Sequence, residues 1–150
     1  MQPIRIRLTQ AIACPPDLAR RHFLDMEHHQ RHPVHAGARF EVVDQSADHS
    51  DYLQINRFGP FELRERSRLD REGDTVVNRC LEGASQGLVA RFQFRPRGPS
   101  ATEVVVDIEM PRTGARLLLA PVLRRLLRQG FARALEEDRV DLEERGYPRP

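Results

Sequence analysis

The segment Phe61-Glu-Leu-Arg-Glu-Arg-Ser-Arg-Leu69 alternates apolar and charged side chains over most of its length. Phe61, Leu63 and Leu69 fall on one face at even spacing, opposite glutamate and arginine side chains. A period of two is typical of a β-strand that buries one face and leaves the other in water. We therefore predict a half-buried strand over residues 61–69, and this strand sets the pattern for the rest of the chain.

Similar segments lie on both sides of this strand, separated by turn-forming residues such as Gly59-Pro60 and the stretch from Gly83 to Gly87. The predicted strands cover residues 4–13, 38–44, 52–58, 61–69, 75–82, 88–96 and 102–110. Because the connections after residue 38 are short, consecutive strands are expected to pair as an antiparallel meander.

Helical spacing of apolar residues appears in the two remaining parts of the chain. Two short helices are predicted between the first two strands, the first capped by Asp17 and the second rich in histidine. A long C-terminal helix is predicted over residues 113–145. Its apolar positions before Gly130 do not line up with those after it, and Pro121 interrupts its first turns, so we expect a bend near one of these residues.

This order of elements resembles the helix-grip superfamily (SRPBCC, Bet v 1-like), which contains START lipid-transfer domains, plant pathogenesis-related ligand carriers and aromatic polyketide cyclases. The resemblance covers the whole chain. It implies an α+β fold in which a curved seven-stranded antiparallel sheet, two short helices and a long C-terminal helix enclose a cavity. It also implies that the cavity binds a small hydrophobic or aromatic ligand, with or without a polyketide cyclase or aromatase activity.

Length and composition limit the other possibilities. The 150 residues fit one domain, which we place at residues 1–150. With a net charge of only +2, no Trp and two Tyr, the chain lacks the basic face and stacking aromatics of nucleic-acid-binding proteins. No apolar run approaches the roughly 20 residues of a membrane span, and no signal peptide is recognisable. We therefore expect a cytoplasmic protein that binds no nucleic acid and does not insert into membranes.

Four of the six histidines stand between residues 28 and 35. His28 and His32 are one helical turn apart, so both imidazoles could face one metal ion. Asp138 falls within the apolar face of the last helix, where a carboxylate is costly unless it is paired, protonated or bound to a cation. We predict His28, His32, His35 and Asp138 as metal ligands, with Asp138 also as the catalytic acid or base.

The same residues also fit an exposed histidine-rich turn and an aspartate paired with arginine, and both interpretations stay open. Within this region we expect His29 to point to solvent and Asp25 to be exposed or to support a ligand. His22 lies on the apolar side of the first helix and is expected to be a hydrogen-bonded core histidine.

A second resemblance concerns Asp25, His28 and the segment Ala134-Leu-Glu-Glu-Asp138. They resemble part of the motif of the catalytic domain of Rieske-type ring-hydroxylating oxygenases, which binds mononuclear iron through two His and one Asp. The second His of that motif would fall at Pro33 here, between His32 and His35. This resemblance implies the alternative function, a metal-dependent enzyme with ferrous iron or zinc at a two-His-one-Asp site.

A few polar residues on the strands complete the candidate site. Tyr52, Gln54 and Asn56 alternate onto one face, and Glu65 and Arg79 are expected on the side of the strand that carries Phe61. If that side lines the cavity, these groups would orient an otherwise apolar ligand; if not, they form the solvent face. The predicted ligand-binding residues are Tyr52, Gln54, Asn56, Glu65, Arg79 and Phe131.

Overall fold

Seven strands and three helices make up the part of the chain that a computed structural model describes, residues 2–150. The strands are β1 (Ile4–Ile12), β2 (Ala38–Gln45), β3 (His49–Phe58), β4 (Phe61–Glu72), β5 (Thr75–Glu82), β6 (Val89–Pro96) and β7 (Thr102–Met110). The helices are α1 (Pro16–Leu24), α2 (Met26–Arg31) and α3 (Arg116–Glu144). The predicted α+β helix-grip fold, with its seven strands, two short helices and long C-terminal helix, is confirmed.

One antiparallel sheet contains all seven strands in the order β1-β7-β6-β5-β4-β3-β2. Each strand from β2 onward pairs with the next along the chain, as predicted for a meander. The first strand joins the last, with Ile6 opposite Ile108. The register shifts at two bulges, where Val43 of β2 and Leu81 of β5 are extra residues without a partner in the register of the neighbouring strand. Such bulges bend the strand that contains them and increase its twist.

Two details of the helices differ from the sequence-based expectations. Helix α1 begins at Pro16, and Asp17 does not cap it, because a proline without an N–H group suits the first helical position. Helix α3 is continuous across Pro121 and Gly130. The expected mismatch of its apolar positions is wrong: one row of side chains faces the core at spacings of three and four, namely Ala120, Leu123, Leu127, Phe131 and Leu135.

The hydrophobic core lies on the face of the sheet that packs against the helices, which we call the inner face. Phe23 of α1 contacts Phe92 and Phe94 of β6, with ring centroids 5.4 and 5.2 Å apart. Leu135 and Leu142 anchor the C-terminal half of α3 to this core. Among residues 2–150 we find no helix with the length and hydropathy that a membrane span requires.

The two halves of α3 are buried to different extents. Its buried residues are Leu135, Asp138, Asp141 and Leu142, all in the C-terminal half. Five large apolar residues in its N-terminal half are exposed: Leu117, Leu118, Leu119, Val122 and Leu126. Within the described chain, the backbone of α3 runs close to β1 but approaches β3 and β4 only sparsely. We use the name groove for the region bounded by the N-terminal half of α3 and the inner face of β3 and β4, where the side chains on both sides are only partly buried.

Candidate functional site

One wall of the groove consists of residues on the inner face of β3 and β4. In this register Tyr52 lies opposite Ser67, Gln54 opposite Glu65, and Asn56 opposite Leu63. Because directly opposed residues in an antiparallel pair share a face, these side chains form one row. The predicted alternation of Tyr52, Gln54 and Asn56 onto one face agrees with the observed strand pairing, and this pairing places Glu65 in the same row.

The polar groups in this row are already partly hydrogen-bonded. The Asn78 amide donates to the Tyr52 hydroxyl at 3.0 Å, and burial raises the pKa of Tyr52 to about 12, so the phenol stays neutral. The Glu65 carboxylate accepts from Cys80 Sγ at 3.2 Å, and Gln54 donates to Asn56 at 3.1 Å. Gln54, Asn56 and Glu65 are half-buried, so each keeps some surface for a further partner.

Arg79 does not belong to this row. It lies opposite Arg68, whereas Cys80 lies opposite Ser67 on the inner face. The Arg79 guanidinium pairs with Glu72 at 3.1 Å and with Asp70 at 3.6 Å on the outer face. The prediction that Arg79 shares the side of Phe61 is therefore wrong. The two-residue turn pairs Glu72 with Thr75, so the even-numbered residues of β5 share a face with the odd-numbered residues of β4.

The other wall of the groove is apolar and incompletely covered. Leu123, Leu127 and Phe131 of α3 pack against the core but are only half-buried. Across the groove, Phe58 and Phe61 at the turn between β3 and β4 are 58% and 70% exposed. Exposed apolar residues that cluster in this way mark binding surfaces more often than residues scattered singly.

Two clefts lie elsewhere in residues 2–150. One of about 740 Å³ is lined by charged residues of α1 and α2 and by the turn after β2, including Arg20, Arg31 and Arg71. A second of about 490 Å³ lies beside it, between α2 and β2. Both are polar, and neither is the enclosed apolar pocket that the sequence led us to expect.

A second cluster of functional groups joins α1, α2 and the segment before β2 to the C-terminal half of α3. We call it the histidine–aspartate cluster; it consists of His22, His28, His29, His35, Asp138 and Asp141. Apart from the half-buried His35, all of its members are buried. Its two carboxylates lie three residues apart on α3, and each has its own set of imidazole partners.

Asp141 is the centre of a saturated hydrogen-bond network. Its Oδ2 atom accepts from Nε2 of His22 at 2.8 Å and from Nε2 of His28 at 2.7 Å, and Oδ1 accepts from Arg149 at 2.6 Å. Burial would raise the pKa of Asp141, but these three donors hold it far below its ordinary value. Burial also lowers the pKa of both histidines, so each is a neutral ring with Nε2 as donor.

Asp138 has a looser set of partners. Its Oδ1 atom lies 3.2 Å from Nε2 of His35, 3.4 Å from Nε2 of His29 and 3.8 Å from Nδ1 of His22. Burial would raise the pKa of Asp138, but His35 and His29 hold it well below its ordinary value. Asp138 is thus an ionised, buried carboxylate surrounded by imidazoles, and no arginine pairs with it among the described residues.

The residues that we predicted as metal ligands are not all brought together. His35 contacts Asp138, but His28 donates to Asp141 instead. The ring of His32 packs against the ring of His28 at 4.7 Å, and its Nε2 atom is buried without a hydrogen-bond partner in residues 2–150. Because His28 and His32 do not reach Asp138, this geometry gives no support to the ligand pattern of the Rieske-type oxygenases.

Asp25 and the C-terminal tail hold this region in place. One Asp25 oxygen accepts from the backbone N–H of His28 at the start of α2 and from the Gln45 amide, and the other accepts from the Tyr147 hydroxyl at 2.7 Å. Burial would raise the pKa of Asp25, but these donors lower it. Asp25 is therefore a structural cap of α2.

The sequence interpretation missed two members of the cluster, His29 and Asp141. His29 was expected to point to solvent, and this is wrong, since it is 6% exposed and stacks beside His35 at 5.4 Å. Asp141 was not considered, although it lies one helical turn from Asp138 on the same face. His22 is a hydrogen-bonded core histidine as expected, and its partner is Asp141.

Comparisons with known proteins bear on the fold. No protein-family model matches the chain, and no curated protein matches its sequence. Solved structures do match: a protein from Thermus thermophilus has a TM-score of 0.73 at 18% identity, with 93% of this chain and 99% of that one covered.

Two further structures are similar to the same degree. The Zhui aromatase/cyclase of a Streptomyces species has a TM-score of 0.70 at 15% identity, with 95% and 97% of the two chains covered. A START superfamily protein of Mycobacterium smegmatis has a TM-score of 0.70 at 14% identity, with 92% and 98% covered. Identities this low establish similarity of fold only. The predicted resemblance to START and polyketide cyclase proteins is therefore confirmed for the fold.

Proposed function

We propose that this protein binds a small hydrophobic or aromatic metabolite in the groove between α3 and the inner face of β3 and β4. The proposal rests on one observation: the side chains on both walls of the groove, on α3 and on β3 and β4, are incompletely buried. No residue between 116 and 134 is fully buried, although this stretch is rich in leucine. Covering apolar surface is favourable by about 25 cal/mol per Å², so an apolar ligand that fills the groove gains affinity from both walls.

The polar residues of the groove would set the orientation of the ligand. Gln54, Asn56 and Glu65 are half-buried neighbours on the wall opposite Leu127 and Phe131. Binding sites for small molecules combine apolar walls with a few placed hydrogen-bonding groups of this kind. A ligand with an extended aromatic body and a carbonyl or hydroxyl group at one end matches this distribution.

We also propose, more specifically, that the groove supports a cyclase-like activity. Such a reaction requires a shaped site that folds a flexible substrate and one acid or base within reach of it. Asp138 is 6% exposed and enclosed by imidazoles, so it does not reach the groove. Glu65, which already accepts from Cys80 and Ser85 on the groove wall, is the carboxylate that we propose for this role.

A metal-dependent enzyme remains the second candidate, favoured by the ring of histidines around Asp138. A catalytic metal keeps one position open for water or substrate. In this protein Asp138 and three neighbouring imidazoles have side-chain exposures between 0% and 15%. Because a substrate would have to reach through this shell, we rank ligand binding in the groove above metal-dependent catalysis.

Binding of the apolar fluorescent probe anilinonaphthalene sulfonate, with one matched pair of variants, tests the proposal. Leu127→Asn places a polar amide on the groove wall, and Leu118→Asn makes the same change at a side chain that is 88% exposed. We expect Leu127→Asn to weaken probe binding about 10-fold, the equivalent of about 1.4 kcal/mol, because part of the apolar wall is lost. Leu118→Asn should leave the affinity unchanged.

Circular dichroism of both variants checks that the fold is intact. Equal affinities for the two variants, or no saturable binding by the unmodified protein, would contradict a ligand site in the groove.

A further inference from the structure

We propose that the outward side of the N-terminal half of α3 docks the protein on an anionic lipid surface. The docking surface consists of an apolar stripe and the arginines beside it. The stripe is formed by four exposed residues, Leu118, Leu119, Val122 and Leu126. It is separate from the groove, because the side of α3 that borders the groove carries Leu123, Leu127 and Phe131.

The position of the stripe follows from the spacing of its residues. Leu118, Val122 and Leu126 are four residues apart, so they lie in one row along the helix. A second row with the same spacing begins at Leu123, five residues after Leu118, and at 100° per residue it lies about 140° around the helix. Helix α3 therefore has one apolar row toward the core and the groove and another toward solvent.

A solvent-facing apolar row is unusual for a helix on the surface of a single domain. Such a helix normally has one apolar side, which packs on the core, and a polar side in water. Exposed apolar residues that form a contiguous patch mark a surface that contacts another molecule or a membrane. The stripe therefore indicates a partner outside this chain.

The charges around the stripe are all of one sign. Residues 110–135 contain six arginines and no aspartate or glutamate, although the whole chain has a net charge of only +2. Of the six, Arg133 alone forms an ion pair within residues 2–150, at 3.9 Å from Glu137. Arg125 and Arg128 are exposed on one flank of the stripe. Exposed aliphatic side chains next to uncompensated cations complement an anionic lipid surface.

Protein partners match this surface less well. In a symmetric dimer the same patch meets itself, which would bring the arginines of two copies together, and like charges in an interface are unfavourable. Other protein partners commonly bind through buried Trp and Tyr anchors, and residues 112–130 contain no aromatic side chain. A lipid surface needs no matching pocket, so a row of aliphatic side chains flanked by arginine is sufficient.

The proposed contact is peripheral. The stripe covers residues 118–126, roughly 12 Å of helix, and Arg124 and Arg125 interrupt its apolar sequence. A helix of this kind lies in the plane of the headgroups with its apolar side chains at the acyl boundary. This docking therefore does not require the chain to cross the bilayer.

Co-sedimentation with lipid vesicles tests the proposal on the unmodified protein. One set of vesicles is phosphatidylcholine with roughly a third of phosphatidylglycerol, and the other is phosphatidylcholine alone. We expect affinity for the anionic vesicles to be at least about 10-fold higher, and to fall by a similar factor when salt is raised from about 0.1 to about 1 M, because salt screens the arginines. No binding, or equal affinity for the two sets, would overturn the proposal.

Two valines provide a matched pair that locates the apolar contact. Val122 in the stripe and Val43 of β2 are 56% and 61% exposed. Val122→Asn should weaken binding to the anionic vesicles about 5-fold, because an aliphatic side chain is lost from the contact. Val43→Asn should leave it within about 2-fold. Equal effects of the two changes would show that the stripe is not the docking surface.

Exposed arginines give a second pair. Arg125→Gln combined with Arg128→Gln removes two cations beside the stripe, and Arg57→Gln combined with Arg91→Gln removes two exposed cations of β3 and β6. Each arginine close to an anionic surface contributes about 5-fold in affinity, so the first double variant should weaken binding more than about 10-fold. A loss as large with the second double variant would mean that attraction is spread over the protein and would contradict the proposed surface.

Sedimentation velocity examines the competing partner, a second copy of the chain, and circular dichroism checks the fold of each variant. We expect the unmodified protein to be a monomer without vesicles. A dimer that Val122→Asn dissociates, together with no binding to anionic vesicles, would assign the stripe to self-association and overturn the lipid proposal. None of these measurements depends on a ligand in the groove.

Discussion

Asp141 shows how one buried residue organises a whole corner of this molecule. Three donors from α1, α2 and the C-terminal tail meet on its carboxylate, and the side chains of His22 and Asp141 are fully buried. Removing one member of a buried ionic network leaves the remaining polar groups without partners.

We predict that Asp141→Asn lowers the free energy of unfolding by about 3 kcal/mol, because Arg149 loses its charged partner and one imidazole loses its acceptor. Urea denaturation measures the change. Asp44→Asn is the matched control, because Asp44 is exposed and has His49 as its one ion-pair partner within residues 2–150, so its loss should cost less than about 1 kcal/mol. A cost below 1 kcal/mol at Asp141 as well would show that the network contributes little to stability.

At this scale the sequence predicted part of the site. Asp138 stands out because it interrupts an apolar face, and that is visible in the printed chain. Asp141 lies at the edge of the same face beside Leu142, where an acidic residue attracts no attention. The choice among six histidines depends on which rings point at which carboxylate, and a spacing of four on one short helix cannot determine it.

The elements were predicted well where one face of a segment is buried. Strands β5 and β7 have the predicted bounds. When one face of a strand forms the core, its apolar side chains must all lie on that face, so the period of two identifies the strand clearly. Strand β4 continues three residues beyond Leu69, because backbone pairing with β5 persists after the apolar alternation ends. Arg79 was assigned to the wrong face because the two-residue turn between β4 and β5 sets the register, which a count of alternate residues from Phe61 does not take into account.

Helix α3 belongs both to the core and to the proposed ligand site. Leu135 and Leu142 bury its C-terminal half in the core. The side chains of its N-terminal half border the groove and are exposed or half-buried. We predict that Leu135→Ala lowers the free energy of unfolding by about 2 to 5 kcal/mol, since the truncated side chain leaves a cavity in the core. Leu118→Ala should change it by less than about 0.5 kcal/mol.

Thermal and urea unfolding of the two alanine variants measure the difference. If Leu118→Ala destabilised the protein as much as Leu135→Ala, the N-terminal half of α3 would be packed, and the groove would be closed in solution.

For the whole molecule, element order was sufficient to predict the helix-grip architecture, and the similar solved structures agree with it. Whether such a fold contains an enclosed cavity depends on how closely the last helix approaches the far strands. That separation is set by side chains from many elements at once, so periodicity does not predict it. In residues 2–150 the side chains of α3, β3 and β4 that would line such a cavity are mostly half-buried.

The most direct test of the central claim is to map where an aromatic ligand binds. Amide chemical shifts of labelled protein are followed by NMR during titration with anthraquinone sulfonate. The account predicts that the largest changes occur at Gln54, Asn56 and Glu65 and along residues 120–131, with saturation at one ligand per chain. Changes confined to the polar cleft around Arg20 and Arg31, or no saturable change at all, would contradict a ligand-binding role for the groove.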